Sequence, residues 1–290
     1  MPFFSVITPS WNQADFFPAC IQSVLTQQDS DFEHLVFDNC SGDRTREIAA
    51  GFPHLRFVSE KDRGQSHALN KGLSQARGEI ICWLNSDDAY PPGIFARLRE
   101  VFADPRCQVV FGDVRQISYD GTPPLTVRAR FENRLDLVRW WSDRVKLHQP
   151  AVFFRASASR LTGLLREDLH YVMDYEYWWR LSERFPFQYL AEVLAIQHRQ
   201  PDSKTVASWH RVYEEREKVF GALSGLIEGG DPHRLQSERH RTMAENFLQL
   251  AWSAPQGSGD VGLNLVRAWR EDWTRVARPA TLGLLRRLFS

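Results

Sequence analysis

The first 115 residues alternate short apolar runs with stretches whose apolar positions recur at helical spacing. This alternation predicts repeated βα units and a mainly parallel sheet, because parallel strands need a helical crossover between them. The predicted fold class is therefore α/β. The predicted strands are 4–8, 34–38, 55–59, 80–84 and 109–111, and the predicted helices are 16–26, 44–50, 66–76 and 92–102.

The pattern loosens between residues 115 and 205, where we expect a turn at Asp120-Gly121, a helical stretch near Trp140-Trp141 and a strand at 152–154. We interpret this part as a continuation of the sheet that builds the second half of a cleft. After Thr205 the pattern is helical, with interruptions at Gly229-Gly230 and at 255–259. The sequence thus predicts an α/β domain over residues 1–205 and a helical extension over 206–290.

The amino-acid composition limits the classes of binding partner and the cellular compartment that we expect. Apolar residues make up 43% of the 290-residue chain, and 36 basic side chains balance 36 acidic ones, so no basic footprint indicates a nucleic-acid partner. The four cysteines form no C-x-x-C pair, which suits a reducing compartment. The chain starts without a signal-peptide pattern and contains no apolar run of about 18 residues. We expect a cytoplasmic protein, either soluble or peripheral at the inner face of the membrane.

The strongest chemical signal is the acidic pair Asp87 and Asp88, which follows an apolar strand. Mg²⁺ and Mn²⁺ take oxygen ligands, usually one or two carboxylates together with substrate phosphate. A strand end carrying two acids suits that task. The alternative is that one of the acids caps a helix beginning near Pro92.

Polar residues also follow the first and second strands. A turn with one aromatic ring could hold a nucleobase, although a plain proline-containing connection explains the same residues. Asp38 could accept hydrogen bonds from a base or ribose, or it could start an Asx turn. Thr8 ends the predicted strand, and Pro9, Ser10, Trp11 and Asn12 follow it in the turn.

The segment after the third strand opens a helix with polar residues. Arg63, Gly64 and Lys71 could meet phosphate oxygens at the helix N-terminus. Equally, Ser66 could be an ordinary N-cap, and Lys71 could be a solvated side chain.

Asp174 stands where an aromatic-rich helix is predicted to start. It could act as a base that takes a proton from an attacking hydroxyl, or it could cap the helix. Nearby rings such as Trp178 could stack on a saccharide, or they could belong to the core.

Six segments in order resemble the family 2 glycosyltransferases of the GT-A fold, especially bacterial members that build surface polysaccharides. The resemblance covers residues 3–205 and implies a Rossmann-like, mainly parallel sheet flanked by helices, with a C-terminal helical appendage. The segments are 5–12, 38–45, 62–72, 78–88, 148–155 and 174–181, and they include D-R-G-Q, L-N-K-G and G-E-I-I-C-W-L-N-S-D-D.

The resemblance implies an inverting, metal-dependent transfer from a nucleotide-sugar donor, with a preference for UDP, to a saccharide or lipid-linked saccharide. Thr8, Trp11 and Asp38 would line the nucleoside pocket, Asp88 would bind Mn²⁺ or Mg²⁺, and Asp174 would be the catalytic base. The segment near His198 departs from the family's R-x-H-x-x-S pattern, so His198 is a weaker second metal ligand. The remaining implied contacts are Pro9, Ser10, Asn12, Arg63, Gly64, Lys71, Asn85 and Asp87 for the donor, and His148, Gln149 and Trp178 for the acceptor.

Two other classes compete with this interpretation. A sugar nucleotidyltransferase would show a glycine-rich, basic loop after its first strand, and residues 9–13 contain no Gly, Lys or Arg. A catalytically inactive relative could bind a sugar nucleotide or act as a scaffold, but the chain retains both Asp88 and Asp174.

The C-terminal stretch combines arginines with tryptophan and leucine. A basic amphipathic segment of this kind can lie on an anionic membrane surface, which would suit a lipid-linked acceptor, or it can pack on its own domain. The arginines are Arg267, Arg270, Arg275, Arg278, Arg286 and Arg287.

Overall fold

The computed structural model describes residues 1–119, 121–139, 145–199, 209–220, 232–253, 259–272 and 274. The chain divides into two compact units. The first comprises 1–137 and 145–219, and the second comprises 138–144 and 220–290. The predicted domain boundary at 205 and 206 falls outside the described residues.

The first unit contains an eight-stranded sheet. Its strands are β1 (Phe4–Ser10), β2 (Phe32–Asp38), β3 (Leu55–Ser59), β4 (Ile80–Trp83), β5 (Val109–Ser118), β6 (Leu125–Val127), β7 (Val152–Arg155) and β8 (Phe187–Arg199). Its helices are α1 (Phe17–Leu25), α2 (Thr45–Ala50), α3 (Gln65–Gln75), α4 (Ile94–Phe102), α5 (Arg134–Val138), α6 (Ala156–Thr162), α7 (Met173–Arg184) and α8 (Trp209–Phe220), with a 3-10 turn at Gln149–Ala151. The ends of α5 and α8 reach into the second unit.

The strand order is β3-β2-β1-β4-β7-β5-β6, and β8 pairs with β5 in parallel. β1 lies between β2 and β4 with both pairings parallel, whereas β7 is antiparallel to β4 and to β5. The carboxyl ends of β1 to β4 therefore meet at one edge of the sheet, which is where open α/β sheets bind ligands.

The sequence pattern explains these elements. All seven residues of β1 are buried, as expected for a parallel strand covered on both faces. Helix α1 buries Phe17, Cys20, Ile21 and Val24, which is the i, i+3, i+4, i+7 spacing of one helical face. On the sheet face that α4 covers, Phe4 and Phe95 stack with ring centroids 4.4 Å apart. The predicted α/β sheet is confirmed.

β5 extends seven residues beyond its predicted end, from Phe111 to Ser118. Its pairing with β8 runs from Val109↔Phe187 to Ser118↔Arg199, so a long tertiary pairing rather than an apolar run sets its length. Residues 113–118 alternate poorly in hydrophobicity, which is why the sequence pattern missed them. The expected features at Asp120, Trp140-Trp141, Gly229-Gly230 and 255–258 lie outside the described residues.

The second unit contains a pair of helices, α9 (Pro232–Ser253) and α10 (Gly259–Glu271). They bury Met243, Ala244, Phe247, Leu265 and Ala268. His240 Nδ1 lies 2.9 Å from Glu271 Oε2 and links the two helices. Within the described ranges, no helix is both long and apolar enough to cross a membrane.

The close approach of α3 to β1 yields a stability prediction. A Cβ at Gly72 would lie 2.3 Å from Ile7 Cγ2, closer than the packed core allows. We expect Gly72→Ala to lower the free energy of unfolding by about 1–3 kcal/mol through overpacking, although alanine favours a helix intrinsically. Urea denaturation would measure the change. Gly42→Ala is the matched control, because nothing lies within 4 Å of the added Cβ there; equal stability of the two variants would contradict the packing argument.

Candidate active site

The acidic pair lies in the turn that follows β4. Asp88 is only 3% exposed, its backbone N–H donates to Asn85 O at 3.1 Å, and Asp87 beside it is half-buried. Helix α4 begins at Ile94 and has Gly93 as its N-cap, with no side-chain cap. The helix-capping alternative for Asp87 and Asp88 is therefore excluded.

Burial dominates the electrostatics of this pair. It raises the pKa of the Asp88 carboxyl well above its usual range, and the charge of Asp87 raises it further. Burial also raises the pKa of Asp87. Among the described residues, neither acid forms an ion pair with Lys or Arg. Two buried acids that lack a basic side-chain partner are a donor set suited to a hard divalent cation.

The end of β8 crosses onto the acidic turn. Ala89 and Ile196 exchange backbone hydrogen bonds of 2.9 and 2.7 Å, and His198 N donates to Asp88 Oδ1 at 3.3 Å. His198 Nδ1 lies 2.6 Å from Asp87 O. Since a carbonyl only accepts, Nδ1 carries a proton, and Nε2 is the ring nitrogen that could serve as a metal ligand. The structure thus brings together Asp87, Asp88 and the weakest metal candidate of the sequence, His198.

Within the described residues, no group of three or more His, Cys, Asp or Glu side chains surrounds a common metal position. Mg²⁺ and Mn²⁺ sites commonly complete their coordination with substrate phosphate and water. The chemistry of the acidic turn therefore fits a cation that is shared with a diphosphate.

The loops after β1 and β2 are linked by hydrogen bonds. Asn12 N donates to Ser41 Oγ at 2.8 Å, and Gly42 N donates to Asn12 Oδ1 at 2.9 Å. Ala14 N donates to Asp43 Oδ2 at 2.9 Å. Trp11 is 60% exposed on this linked pair of loops, so its ring is accessible to a ligand.

Asp38 is the centre of a second set of hydrogen bonds. Its carboxylate is 2% exposed and accepts from Ser41 N at 3.0 Å, from Ser59 Oγ at 2.6 Å and from Ser41 Oγ. Asp38 therefore holds the start of the loop after β2 and the end of β3, and its contact with a base or ribose stays a prediction. Its partners Ser41 and Ser59 could not be predicted from the sequence, because a single serine in a loop or at a strand end carries no distinctive pattern.

Three predicted donor contacts belong to the strand and not to a turn. β1 continues through Ser10, so Thr8, Pro9 and Ser10 are buried strand residues. Thr8 Oγ1 lies 2.9 Å from His34 Nε2 and is fully buried. The predicted turn at residues 9–13 is therefore shortened by Pro9 and Ser10, which belong to β1, whereas the strand placement of Thr8 is confirmed. Contacts of these three residues with a donor stay predictions.

Both cations near α3 are paired with acids. Arg63 donates to Glu167 Oε2 through Nε at 3.0 Å and Nη2 at 2.5 Å. Lys71 Nζ lies 2.8 Å from Glu60 Oε1, so it is not a solvated side chain. Contact of either cation with a phosphate stays a prediction and would require exchange of these partners.

The N-terminus of α3 is capped by Gly64 and not by Ser66. Gly64 has a φ of +124°, a conformation reserved for glycine, while Ser66 Oγ donates to Leu169 O at 3.1 Å. Next to this helix end, Asn85 Oδ1 accepts from Gln65 Nε2 at 2.8 Å and from Trp83 Nε1 at 2.9 Å. Asn85 therefore ties the acidic turn to α3.

Asp174 lies in the first turn of α7, which begins at Met173 and has Val172 as its N-cap. Asp174 Oδ1 accepts the backbone N–H of Tyr175 at 2.9 Å. The N-cap alternative is thus excluded. An acid in the first turn still stabilises the helix, because its negative charge interacts favourably with the positive end of the helix dipole.

Trp178, predicted as an acceptor contact, is 0% exposed. Its ring lies 6.2 Å from Trp83 and 5.8 Å from Phe154, between α7 and the sheet. We correct its role to that of a core residue.

His148 and Gln149 lie at the 3-10 turn before β7, and Gln149 supports the end of β4. Gln149 Nε2 donates to Trp83 O, and the Gln149 side chain is 7% exposed. Burial lowers the pKa of His148, so the ring is neutral near neutral pH. Their contact with an acceptor stays a prediction.

Comparisons with known proteins agree with this fold. The model of the glycosyl transferase family 2 matches residues 5–162, more than half of the chain. TuaG of Bacillus subtilis, whose name assigns it to teichuronic acid biosynthesis, is 32% identical over 128 residues, which are 42% of this chain and 50% of TuaG. Chondroitin synthase of Escherichia coli is 28% identical over 67% of this chain and 28% of its own length. The chain thus spans half or less of these two relatives.

Solved structures show the same fold. S. aureus TarS 1-349 in complex with UDP-GlcNAc has a TM-score of 0.63 at 16% identity, over 99% of this chain and 88% of that chain. The mannosyltransferase PcManGT from Pyrobaculum calidifontis, in complex with GDP-Man and Mn²⁺, has a TM-score of 0.58 at 18% identity, over 99% and 86% of the two chains. Fold and site define a GT-A enzyme. The chain belongs to glycosyl transferase family 2 and is a glycosyltransferase.

The His34 imidazole behind Thr8 yields a pH prediction. Burial is the main cause that lowers its pKa from 6.5 to about 3, and the charge of nearby His54 contributes to the same shift. Below pH 6.5 the unfolded chain binds a proton that the folded protein rejects, so stability falls as pH drops toward about 3. We expect His34→Gln to remove up to about 1.4 kcal/mol per pH unit of this dependence, measured by urea denaturation across that range.

His170→Gln is the control, because His170 is exposed. It should retain the acid dependence of the unchanged protein. If His34→Gln also retained the full slope, the buried neutral imidazole would not be its cause.

Proposed function

We propose that this glycosyltransferase is metal-dependent and inverting, and that it transfers a sugar from a nucleotide-diphosphate donor, a UDP-sugar, to a hydroxyl of a saccharide or lipid-linked saccharide. The observation that carries the proposal is the acidic turn, where β8 brings His198 onto Asp87 and Asp88 at a sheet edge that suits a ligand.

The nucleoside end of the donor is assigned to the linked loops after β1 and β2. Trp11 offers an exposed ring for the base, and the bonds among Asn12, Ser41 and Gly42 hold both loops before a ligand binds. The choice of UDP is supported by the binding of UDP-GlcNAc in TarS, whereas PcManGT binds GDP-Man. The family members named for teichuronic acid and chondroitin support a saccharide acceptor.

Asp88 and His198 would hold the Mn²⁺ or Mg²⁺, with Asp87 next to the ribose and sugar. When bound, the cation would neutralise the charge that develops on the leaving diphosphate. The buried setting strengthens that interaction, because few water dipoles screen it. Ionised Asp88 is favoured by a cation and disfavoured without one, so cation and donor should bind together.

The reaction is a single displacement. The acceptor hydroxyl oxygen attacks the anomeric carbon, the carbon–oxygen bond to the β-phosphate breaks, and the nucleoside diphosphate leaves with the electron pair. Asp174 takes the proton of the attacking hydroxyl. A nucleotidyltransferase reaction is disfavoured, because the loop after β1 lacks the glycine and basic residues that a triphosphate would need.

Donor binding and transfer should separate by mutation. We expect Asp88→Ala to lose Mn²⁺-dependent binding of UDP-sugars. Asp174→Asn should retain that binding and lose roughly 10²- to 10⁴-fold in kcat, the range of general-base effects. Titration calorimetry with a panel of nucleotide sugars and Mn²⁺ or Mg²⁺ would measure binding, and release of nucleoside diphosphate would measure turnover.

Glu183→Gln is a matched control, because Glu183 is an exposed acid on the same helix as Asp174. It should retain full turnover. Unchanged cation-dependent binding in Asp88→Ala would contradict the metal assignment, and full transfer by Asp174→Asn would contradict the base assignment.

A membrane contact is the second part of the proposal, and α10 supports it. Leu265 and Ala268 are buried against α9, whereas Leu263, Val266 and Trp269 form a separate apolar stripe with exposures of 48%, 50% and 60%. Arg270 is exposed on the same helix. An exposed apolar stripe with arginines is complementary to an anionic bilayer, which would bring the enzyme to a lipid-linked acceptor.

Vesicle co-sedimentation tests this contact. We expect the protein to sediment with phosphatidylglycerol vesicles more than with phosphatidylcholine vesicles, and the triple change Leu263→Ser, Val266→Ser and Trp269→Ser to abolish the difference. Leu161→Ser with Leu164→Ser is the control, since these two are comparably exposed in the first unit. Undiminished sedimentation of the triple variant would contradict the proposal.

A further inference from the structure

Helix α8 lies beyond residues 5–162, the part that the family model matches, yet it contacts the segment that leads into α7. The Glu215 carboxylate accepts three backbone N–H groups of that segment. Oε1 accepts from His170 at 2.8 Å, and Oε2 accepts from Tyr171 at 2.7 Å and from Val172 at 3.2 Å. A single side chain thus fixes three consecutive peptide groups.

These three hydrogen bonds hold the backbone at the N-terminus of α7. The first N–H groups of a helix have no partner within the helix, and a side chain at the N-cap commonly accepts one of them. Here the N-cap is Val172, which has no side chain able to do so. Glu215 instead holds the N-cap backbone from a neighbouring helix, and its negative charge complements the positive end of the α7 dipole.

Other side chains of α8 contact the same segment. Lys218 Nζ lies 3.1 Å from Asp168 Oδ2, and Arg211 Nη1 lies 3.4 Å from the Tyr171 hydroxyl. The Arg216 guanidinium lies over the Tyr175 ring at 4.9 Å from its centroid. Residues on both sides of Asp174 are therefore held by one helix.

We propose that Glu215 is a positioning residue for Asp174. The distances assign it the task of fixing the backbone two residues before the base, so that the Asp174 carboxylate points at the attacking hydroxyl. This inference rests on the proposed function, in which Asp174 is the general base. Misplacement of a catalytic group by about 1 Å can cost roughly 100-fold in rate, so a backbone anchor at this point acts on turnover.

The test compares Glu215→Gln with Glu214→Gln, which removes the same charge from the adjacent, exposed position. We expect Glu215→Gln to lower kcat roughly 10- to 100-fold, as outer partners of catalytic groups commonly do, with donor KM and Mn²⁺-dependent UDP-sugar binding within about twofold. Glu214→Gln should match the unchanged enzyme. Faster amide hydrogen exchange at residues 170–172 should accompany the loss in Glu215→Gln.

A double-mutant cycle separates positioning from an independent effect. If Glu215 acts through Asp174, then Glu215→Gln should slow Asp174→Asn no further. Additive losses, or a kcat of Glu215→Gln equal to that of Glu214→Gln, would overturn the inference. Full activity of Asp174→Asn would instead show that the base assignment itself fails. Should Glu215→Gln not fold, Glu215→Asp carries the same comparison, because the shorter acid keeps the charge and cannot reach all three N–H groups.

Discussion

Two neighbouring carboxylates at the end of β4 are partly shielded from water. They repel each other when both are ionised, so the surrounding residues must hold them in place. Asp88 is fixed by the backbone of His198, the turn is held to α3 by Asn85, and Gln149 holds the end of β4 through the Trp83 carbonyl. Among the described residues this support comes from neutral groups, so no basic side chain offsets the cost of ionising the two acids. In the proposed function, a divalent cation that arrives with the donor diphosphate would offset that cost.

The linked loops after β1 and β2 are also held in place by hydrogen bonds before a ligand binds. Asn12 and Cys40 both have a φ of +53°, which non-glycine residues adopt rarely and asparagine more readily than most. The bonds between the two loops compensate for this backbone cost. Loops that are already ordered lose little conformational entropy on binding, so more of the interaction with a nucleotide remains as affinity.

Much of the fold and part of the site could be predicted from the sequence. The buried strands of the parallel sheet are recognisable in the sequence as apolar runs, and a strand followed by two acids is a distinctive sequence pattern. Contacts between segments that are distant in the chain could not be predicted from the sequence pattern. The placement of Pro9 and Ser10 in β1 depends on where that strand ends, and the core position of Trp178 depends on which face of α7 is covered. Glu215 had no signal at all, because a glutamate in a charged helix is indistinguishable from a solvated one until its backbone partners are seen.

The junction between β8 and the acidic turn joins residues that are 110 positions apart in the chain. A nascent chain whose β1 to β4 and acidic turn have left the ribosome already contains both acids, but it does not yet contain His198, whose backbone N–H donates to Asp88. The acidic turn can therefore acquire its final form only after β8 has been synthesised and paired with β5, and such distant pairings form slowly. The cation site of the proposed function would thus form late in biosynthesis, after β8 has left the ribosome.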